Sequence, residues 1–558
     1  MFNVRPKETA SMLTRDGVRL DADIYRPDAE GAFPVLLMRQ PYGRAIASTI
    51  VYAHPTWYAA HGYIVVIQDV RGRGTSEGCF KLFAHEIEDG EDAVQWAAAL
   101  AGSTGQVGMY GFSYQGMTQL YAAAAKPPAL KTICPAMIGY DLYTDWAYEG
   151  GAFCLQANLS WAIQIAAETA RLKGDVATYQ TLITAARDLP LSDSVPADPD
   201  VLKKLAPDSF YHEWLHHDAP DEYWEQLSPK SYLHAVALPM LHIGGWFDTF
   251  LRGTIHLHKE MATRNVDRQQ LLVGPWAHLP WGRKVGAIDF GAAAASPCDR
   301  LQIRWFDQWL KGLNTGLLAE PAIALFEMGS NQWRTFDTWH SAHPTPYFLA
   351  STGLASMNDQ EGSLVSQQAF TQNFDTFVHD PWRPVPAIGG HASAPSGPYD
   401  RSSLDCRTDI LTYTSEPLTE DLHLAGEVLV LIYGTADVPS FDLCAILSDV
   451  RPNGSIYNVT QGYIRVPPQP TRPLQISLQP TCVCVAKGSA MRLSLSAACF
   501  PAYPVNAGIG TPPSETRLID QQIITVTVAS GGDRPSQVLL PVVKLEQFSK
   551  EGDGLVEG

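Results

Sequence analysis

Gly111-Phe112-Ser113-Tyr114-Gln115-Gly116 sets a serine between two glycines. An apolar run, residues 106–110, comes before it, and an Ala-rich helical stretch, 117–125, comes after. A strand–turn–helix of this kind lifts a serine hydroxyl out of a sheet, and small flanking residues let strand and helix approach closely. The spacing is G-x-S-x-x-G, with Gln115 where the usual elbow has glycine. A serine is a weak nucleophile at neutral pH unless a base takes its proton, and the base needs an acid to orient it. Two later segments offer both in the order Ser, Asp, His. Residues 238–243 are apolar and end in Gly244-Gly245-Trp246-Phe247-Asp248; residues 270–273 are apolar and end in Gly274-Pro275-Trp276-Ala277-His278. Each reads as a buried parallel strand that stops at Gly or Pro and then presents an ionisable group. Asp248 also suits a helix N-cap, and His278 suits a locally satisfied loop histidine. Their order at three strand ends favours the chemical reading: Ser113 as nucleophile, His278 as base, Asp248 as orienting acid. The Tyr114 backbone N–H, directly after the nucleophile, is expected to donate to the developing oxyanion.

The surrounding elements fit that role. Residues 12–25 alternate around Arg15-Asp16-Gly17, a hairpin signal. Residues 34–38, 63–68, 106–110 and 130–134 are largely apolar runs of strand length, with helical patterns at 52–60 and 86–100, the rhythm of a parallel sheet. From about 139 to 232 no buried strand is expected. That stretch is rich in Trp, Tyr and Ala and reads as a helical cap over the site. Strand rhythm resumes at 238 and closes with a helix near 299–313. From about 320, short strands recur between Pro, Gly, Asn and Asp, which predicts a β-sandwich. The expected division is therefore 1–140 and 236–319 for an α/β-hydrolase core, 141–235 for the cap and 320–558 for the sandwich.

These segments resemble the cocaine esterase-like (CocE/NonD) hydrolases, related to the Xaa-Pro dipeptidyl-peptidases and the α-amino acid ester hydrolases. The likeness rests on Pro41-Tyr42, on residues 69–78 (Asp-Val-Arg-Gly-Arg-Gly-Thr-Ser-Glu-Gly), on Asp89-Gly90-Glu91-Asp92 with Trp96, and on the Ser113, Asp248 and His278 segments. It continues through Asp380-Pro381, Gly389-Gly390, residues 411–418 and 442–454, so it covers nearly the whole chain. The resemblance implies a serine hydrolase for a small ester or amide, a jelly roll as the second domain, and the Tyr42 hydroxyl as second oxyanion donor. In the α-amino acid ester hydrolases, acidic residues hold the substrate's ammonium group. Two lie just after the catalytic Asp, where this chain has Thr249-Phe250-Leu251; the region of the third resembles residues 144–149, with Asp145 and Glu149. Trp146, Tyr148, Phe153, Trp161, Trp246 and Phe247 are the candidates for an aromatic acyl pocket, two or three of which are expected to line it.

Composition narrows the alternatives. At 558 residues the chain exceeds one core, and 46% hydrophobic with 18% charged residues describes a globular protein. A net charge of −18 argues against nucleic acid and gives no reason to expect anionic membrane. Nine scattered cysteines form no repeated CxxC, so neither a metal site nor a disulfide scaffold is expected, and the chemistry calls for no cofactor. No apolar leader or 18-residue apolar run stands out, and a cytoplasmic enzyme is the expectation. A homodimer remains open. Residues 71–74, Arg-Gly-Arg-Gly, lack the ends of a Walker or dinucleotide motif and read as a turn whose arginines make structural ion pairs. The alternatives carried forward are an aminopeptidase or α-amino ester hydrolase, and, from another class, a non-catalytic carbohydrate-binding protein.

Overall fold

The computed structural model describes residues 1–544 and 546, apart from 46–48, 265–267, 340–343 and 471. Ten strands form the first sheet among these residues: β1 (Glu8–Leu13), β2 (Arg19–Tyr25), β3 (Phe33–Gln40), β4 (Ile64–Asp69), β5 (Ser103–Phe112), β6 (Leu130–Ala136), β7 (Met240–Phe247), β8 (Gln269–Ala277), β9 (Ile323–Glu327) and β10 (Gln332–Phe336). Their order is β1-β2-β4-β3-β5-β6-β7-β8-β9-β10. The pairs from β4 through β9 are parallel, with antiparallel strands at both edges. Parallel strands are buried on both faces, and their residues divide accordingly. Val35, Leu37, Ile64 and Val66 join one core, with helices α2 (Glu86–Ala98) and α3 (Tyr114–Ala124). Leu36, Met38, Val65 and Ile67 join another, under α1 (Pro55–Ala60) and the Cys298–Leu310 helix.

Between β6 and β7 lies the cap. It opens with a π-helical turn (Tyr143–Ala147) and a short hairpin of Tyr148–Glu149 with Ala152–Phe153. Helices α4 (Leu155–Leu172), α5 (Val176–Arg187), α6 (Asp200–Leu205), α7 (Phe210–His216) and α8 (Glu222–Leu227) follow. The buried hairpin is a departure from the all-helical expectation; strands of two residues carry no periodicity to read. α9 (Leu251–Arg264) then covers β7.

Past the Cys298–Leu310 helix the C-terminal domain is all-β, with an 11-stranded sheet among the described residues. One boundary moves. β9 pairs in parallel with β8, and β10 pairs with β9, so the hydrolase sheet runs past 319. A five-residue apolar strand looks the same in either sheet, because its partner is set by packing at a distance. The two modules also share a core, in which Trp246, Phe247 and Val273 meet Leu424, Val430 and Val483. No described helix is long and apolar enough to cross a membrane.

Candidate active site

Ser113 sits at the junction of β5 and α3, buried, with φ 58° and ψ −129°. A non-glycine residue held there stores on the order of 1–3 kcal/mol of strain. The flanking glycines make that turn possible. A Cβ on Gly111 would lie 2.5 Å from the Gln115 Cβ, and one on Gly116 would lie 2.3 Å from Ile138 Cγ2. This explains the shifted spacing. The close approach falls at residue 116, so the Gln115 side chain is accommodated and turns back to accept from the Phe112 N–H at 3.4 Å.

β7 and β8 are neighbours in the sheet, and the loops that leave them bring Asp248 and His278 together. His278 Nδ1 and Asp248 Oδ1 are 2.8 Å apart. Asp248 is fully buried, and its Oδ2 has no hydrogen-bond partner among the described residues. Asp141, the other carboxylate at a nearby strand end, instead caps the π-helical turn and meets Lys230. The His278 ring lies 5.4 Å from that of Phe112, the residue before Ser113 at the end of β5. The acid loop is also gripped from the all-β domain. Gln479, on the Leu474–Val485 strand, donates its Nε2 to the carbonyls of Trp246 at 2.9 Å and Asp248 at 3.0 Å.

Tyr42 follows β3 and its hydroxyl lies close enough to the Ser113 side chain to feel it. The Trp161 indole N–H donates to the same hydroxyl at 3.1 Å. Burial pushes the phenol up to about 12, opposed by the Trp161 bond, the Arg73 charge and the nearby Ser113 side chain, so it is a neutral donor near pH 7. Tyr114 is the first residue of α3, where backbone N–H groups lack intrahelical acceptors. Its side chain is anchored through Glu86 at 2.8 Å, itself paired with buried Arg39 at 2.6 Å.

Of the six candidate pocket aromatics, the structure gathers two near this group. Trp146 packs on Trp161 with centroids 5.2 Å apart and on Phe250 at 4.3 Å; Phe250 in turn lies 5.1 Å from His278. The other four are placed elsewhere. Tyr148 and Phe153 pack on each other and on Tyr143 and Tyr211 inside the cap, with the Tyr148 hydroxyl on the Trp214 carbonyl. Trp246 donates to the Phe326 carbonyl at 2.7 Å, and with Phe247 belongs to the core shared with the all-β domain. Both sit at the end of β7, where the all-β domain packs against it. The sequence reading missed Phe250, which it named only for lacking a carboxylate, and Gln479, which no local signal marks.

Both carboxylates considered for a substrate ammonium group are engaged within the chain. Asp145 accepts from the Asp141 N–H at 2.8 Å and meets His256 at 3.3 Å; Glu149 meets Arg252 at 2.7 Å, His391 at 2.9 Å and the Tyr503 hydroxyl at 2.5 Å. The neighbouring cations hold both below their ordinary values despite burial.

A strained serine at a β–α turn of a parallel sheet, with a His–Asp pair at the ends of the next strands, defines an α/β-hydrolase of the serine type. Residues 16–280 match the family model of X-Pro dipeptidyl-peptidase (S15 family), and residues 315–539 that of the X-Pro dipeptidyl-peptidase C-terminal non-catalytic domain. The chain is 30% identical to cocaine esterase from Rhodococcus sp. (strain MB1 Bresler), over 95% of this chain and 97% of that one. The fold matches an aminopeptidase from a marine sediment Thaumarchaeota archaeon with TM-score 0.82 at 22% identity, covering 97% of each chain. It matches an α-amino acid ester hydrolase with TM-score 0.78 at 23% identity, again over 97% of each. The chain belongs to the cocaine esterase-like branch of the S15 family and is a serine hydrolase acting on esters or peptides.

Proposed function

We propose that Ser113, His278 and Asp248 act as a catalytic triad that cleaves small carboxylic esters with an aromatic or bulky apolar acyl group. His278 takes the Ser113 proton as Oγ attacks the carbonyl carbon. Asp248 fixes the imidazole tautomer through Nδ1 and stabilises the imidazolium. The Tyr42 hydroxyl and the Tyr114 N–H receive the oxyanion. His278 then gives the proton to the departing alcohol, leaving the acyl group on Ser113. A water loses its proton to His278, attacks the acyl carbon, and the carboxylic acid leaves as Ser113 recovers its proton. One oxyanion donor is worth about 3 kcal/mol, or roughly a hundredfold in rate.

The observation that carries this reading is the Tyr42 hydroxyl held by the Trp161 N–H close to Ser113, while Trp161, Trp146 and Phe250 form a continuous aromatic wall back to His278. Such a wall suits an apolar acyl group. An aminoacyl substrate would need an unengaged carboxylate to meet its ammonium group, and Asp145 and Glu149 already meet His256, Arg252 and His391. Acyl esters without a free amine are therefore favoured over aminoacyl amides. A panel of acyl esters and aminoacyl amides, run on the wild type and on Ser113→Ala, tests this. Turnover of amides with a free amine above that of benzoyl or butyryl esters would overturn the substrate assignment, and turnover surviving Ser113→Ala would overturn the triad.

A further inference from the structure

The turn after β4 places two arginines, two residues apart, in opposite surroundings. Arg71 is bonded through both faces of its guanidinium, to Asp16 at 2.7 and 2.9 Å and to Asp89 at 2.9 and 2.6 Å. That is the structural ion pairing expected of both. Arg73 departs from it. It is 1% exposed, yet no carboxylate bonds it among the described residues. Its one hydrogen bond there runs from Nη1 to the Ile165 carbonyl at 3.4 Å, its Nε is buried without an acceptor, and the guanidinium carbon lies 3.9 Å over the Phe80 ring. Glu168, the acid whose field it feels, gives both oxygens to Arg171 at 2.7 Å. Desolvation brings Arg73 down to about 10, which still leaves it charged at neutral pH. A buried cation without an anion is costly to keep.

Arg73 lies in the wall of a cavity of ≈ 790 Å³ between the loop after β4 and cap helices α4 and α7. Phe210 is part of the same wall, and its ring packs on Trp161 at 4.8 Å, the residue that bonds Tyr42. The cavity therefore adjoins the aromatic wall on the side away from His278. Its other charges are exposed: Lys81 and Lys173, and against them Asp175, Asp208 and Glu213. Asp175 caps α5 and Glu213 meets His217 at 3.6 Å. Exposed charges are screened by water; the buried guanidinium is not.

We propose that Arg73 recognises a carboxylate on the substrate, and that the preferred substrates are esters whose acyl part extends past Trp161 and ends in a second carboxylate. This rests on the ester-hydrolase reading above and adds the substrate's charge. The guanidinium fork fits a planar carboxylate with two parallel hydrogen bonds, and its unpaired Nε is one of the donors such a group would take up.

The test compares two esters of one shape. One is the para-nitrophenyl monoester of adipic acid. The other replaces its distal carboxylate by a neutral isopropyl group. Wild type should favour the charged ester about tenfold or more in kcat/KM. Arg73→Met should lower that ratio at least tenfold, and Arg73→Lys should retain part of it. The melting temperature of Arg73→Met should hold or rise, since no anion loses its partner. A wild-type ratio of one or less overturns the proposal. So does an equal loss on both esters in Arg73→Met, which would assign the arginine to long-range support of Tyr42. Failure of the underlying reading looks different: neither ester would be turned over in a Ser113-dependent way.

Discussion

The Trp161 indole N–H donates to the Tyr42 hydroxyl at 3.1 Å, and that hydroxyl lies close to Ser113. A phenol that accepts from one side keeps its own proton to give on the other. Tyr42→Phe should therefore lower kcat about a hundredfold with KM little changed, because the lost bond strengthens only in the transition state. Trp161→Phe keeps the ring and removes the donor that aims the phenol; kcat should fall, by less than in Tyr42→Phe. Steady-state kinetics on one ester checks both, and full activity of Tyr42→Phe would return that residue to packing.

Ser113 is both nucleophile and strained residue, and the two roles separate by substitution. A fluorophosphonate should label the wild type at this residue alone, and neither Ser113→Ala nor Ser113→Gly should be labelled. Their stabilities should differ. Glycine adopts the φ of 58° freely, so Ser113→Gly should be more stable than Ser113→Ala by about 1–3 kcal/mol in denaturant titrations. Equal stabilities would mean that the turn holds no strain.

Gln479 fixes two carbonyls of the acid loop from a strand of the other domain. Gln479→Leu removes both bonds and keeps most of the bulk. We expect a fall of about tenfold or more in kcat with the all-β domain still folded, as read by far-ultraviolet circular dichroism. Unchanged kcat would show that β7 holds Asp248 unaided.

Stability should fall on the acid side through two buried histidines. His242 of β7 and His258 of α9 pack edge to face with centroids 5.2 Å apart, and each has a buried Nδ1 without a partner among the described residues. Burial lowers His242 to about 4 and His258 well below its ordinary value. The native state thus stays neutral where the unfolded chain binds protons. The full stability is present above about pH 6.5 and is lost as pH falls toward 4, by up to about 3 kcal/mol for His242. Melting temperatures of wild type and His242→Leu across that window check this; the variant should lose less between pH 7 and pH 5. Parallel curves would place the acid sensitivity elsewhere.

The nucleophile turn, the βαβ rhythm and the order Ser113, Asp248, His278 could be read from the chain because each is local: an apolar run, a glycine, an ionisable residue. The aromatic wall could not. Tyr148 and Trp246 carry the same signal as Trp146 and Trp161, and only the path of the cap and the packing of the all-β domain on β7 decide which face the serine. β9 reads as part of the sandwich for a similar reason, since five apolar residues do not name their partner strand. Arg71 and Arg73 differ in fate because Asp16 and Asp89 meet only the first, a fact of tertiary arrangement.

The Gln479 contact has a consequence for the growing polypeptide. All three side chains of the proposed chemistry have been synthesised once His278 is in place, yet the strand that steadies the acid loop is still to come. At about 5–20 residues per second, a nascent chain spends tens of seconds with its nucleophile present and its acid loop unsupported. The hydrolase would then gain full activity only as the all-β domain folds.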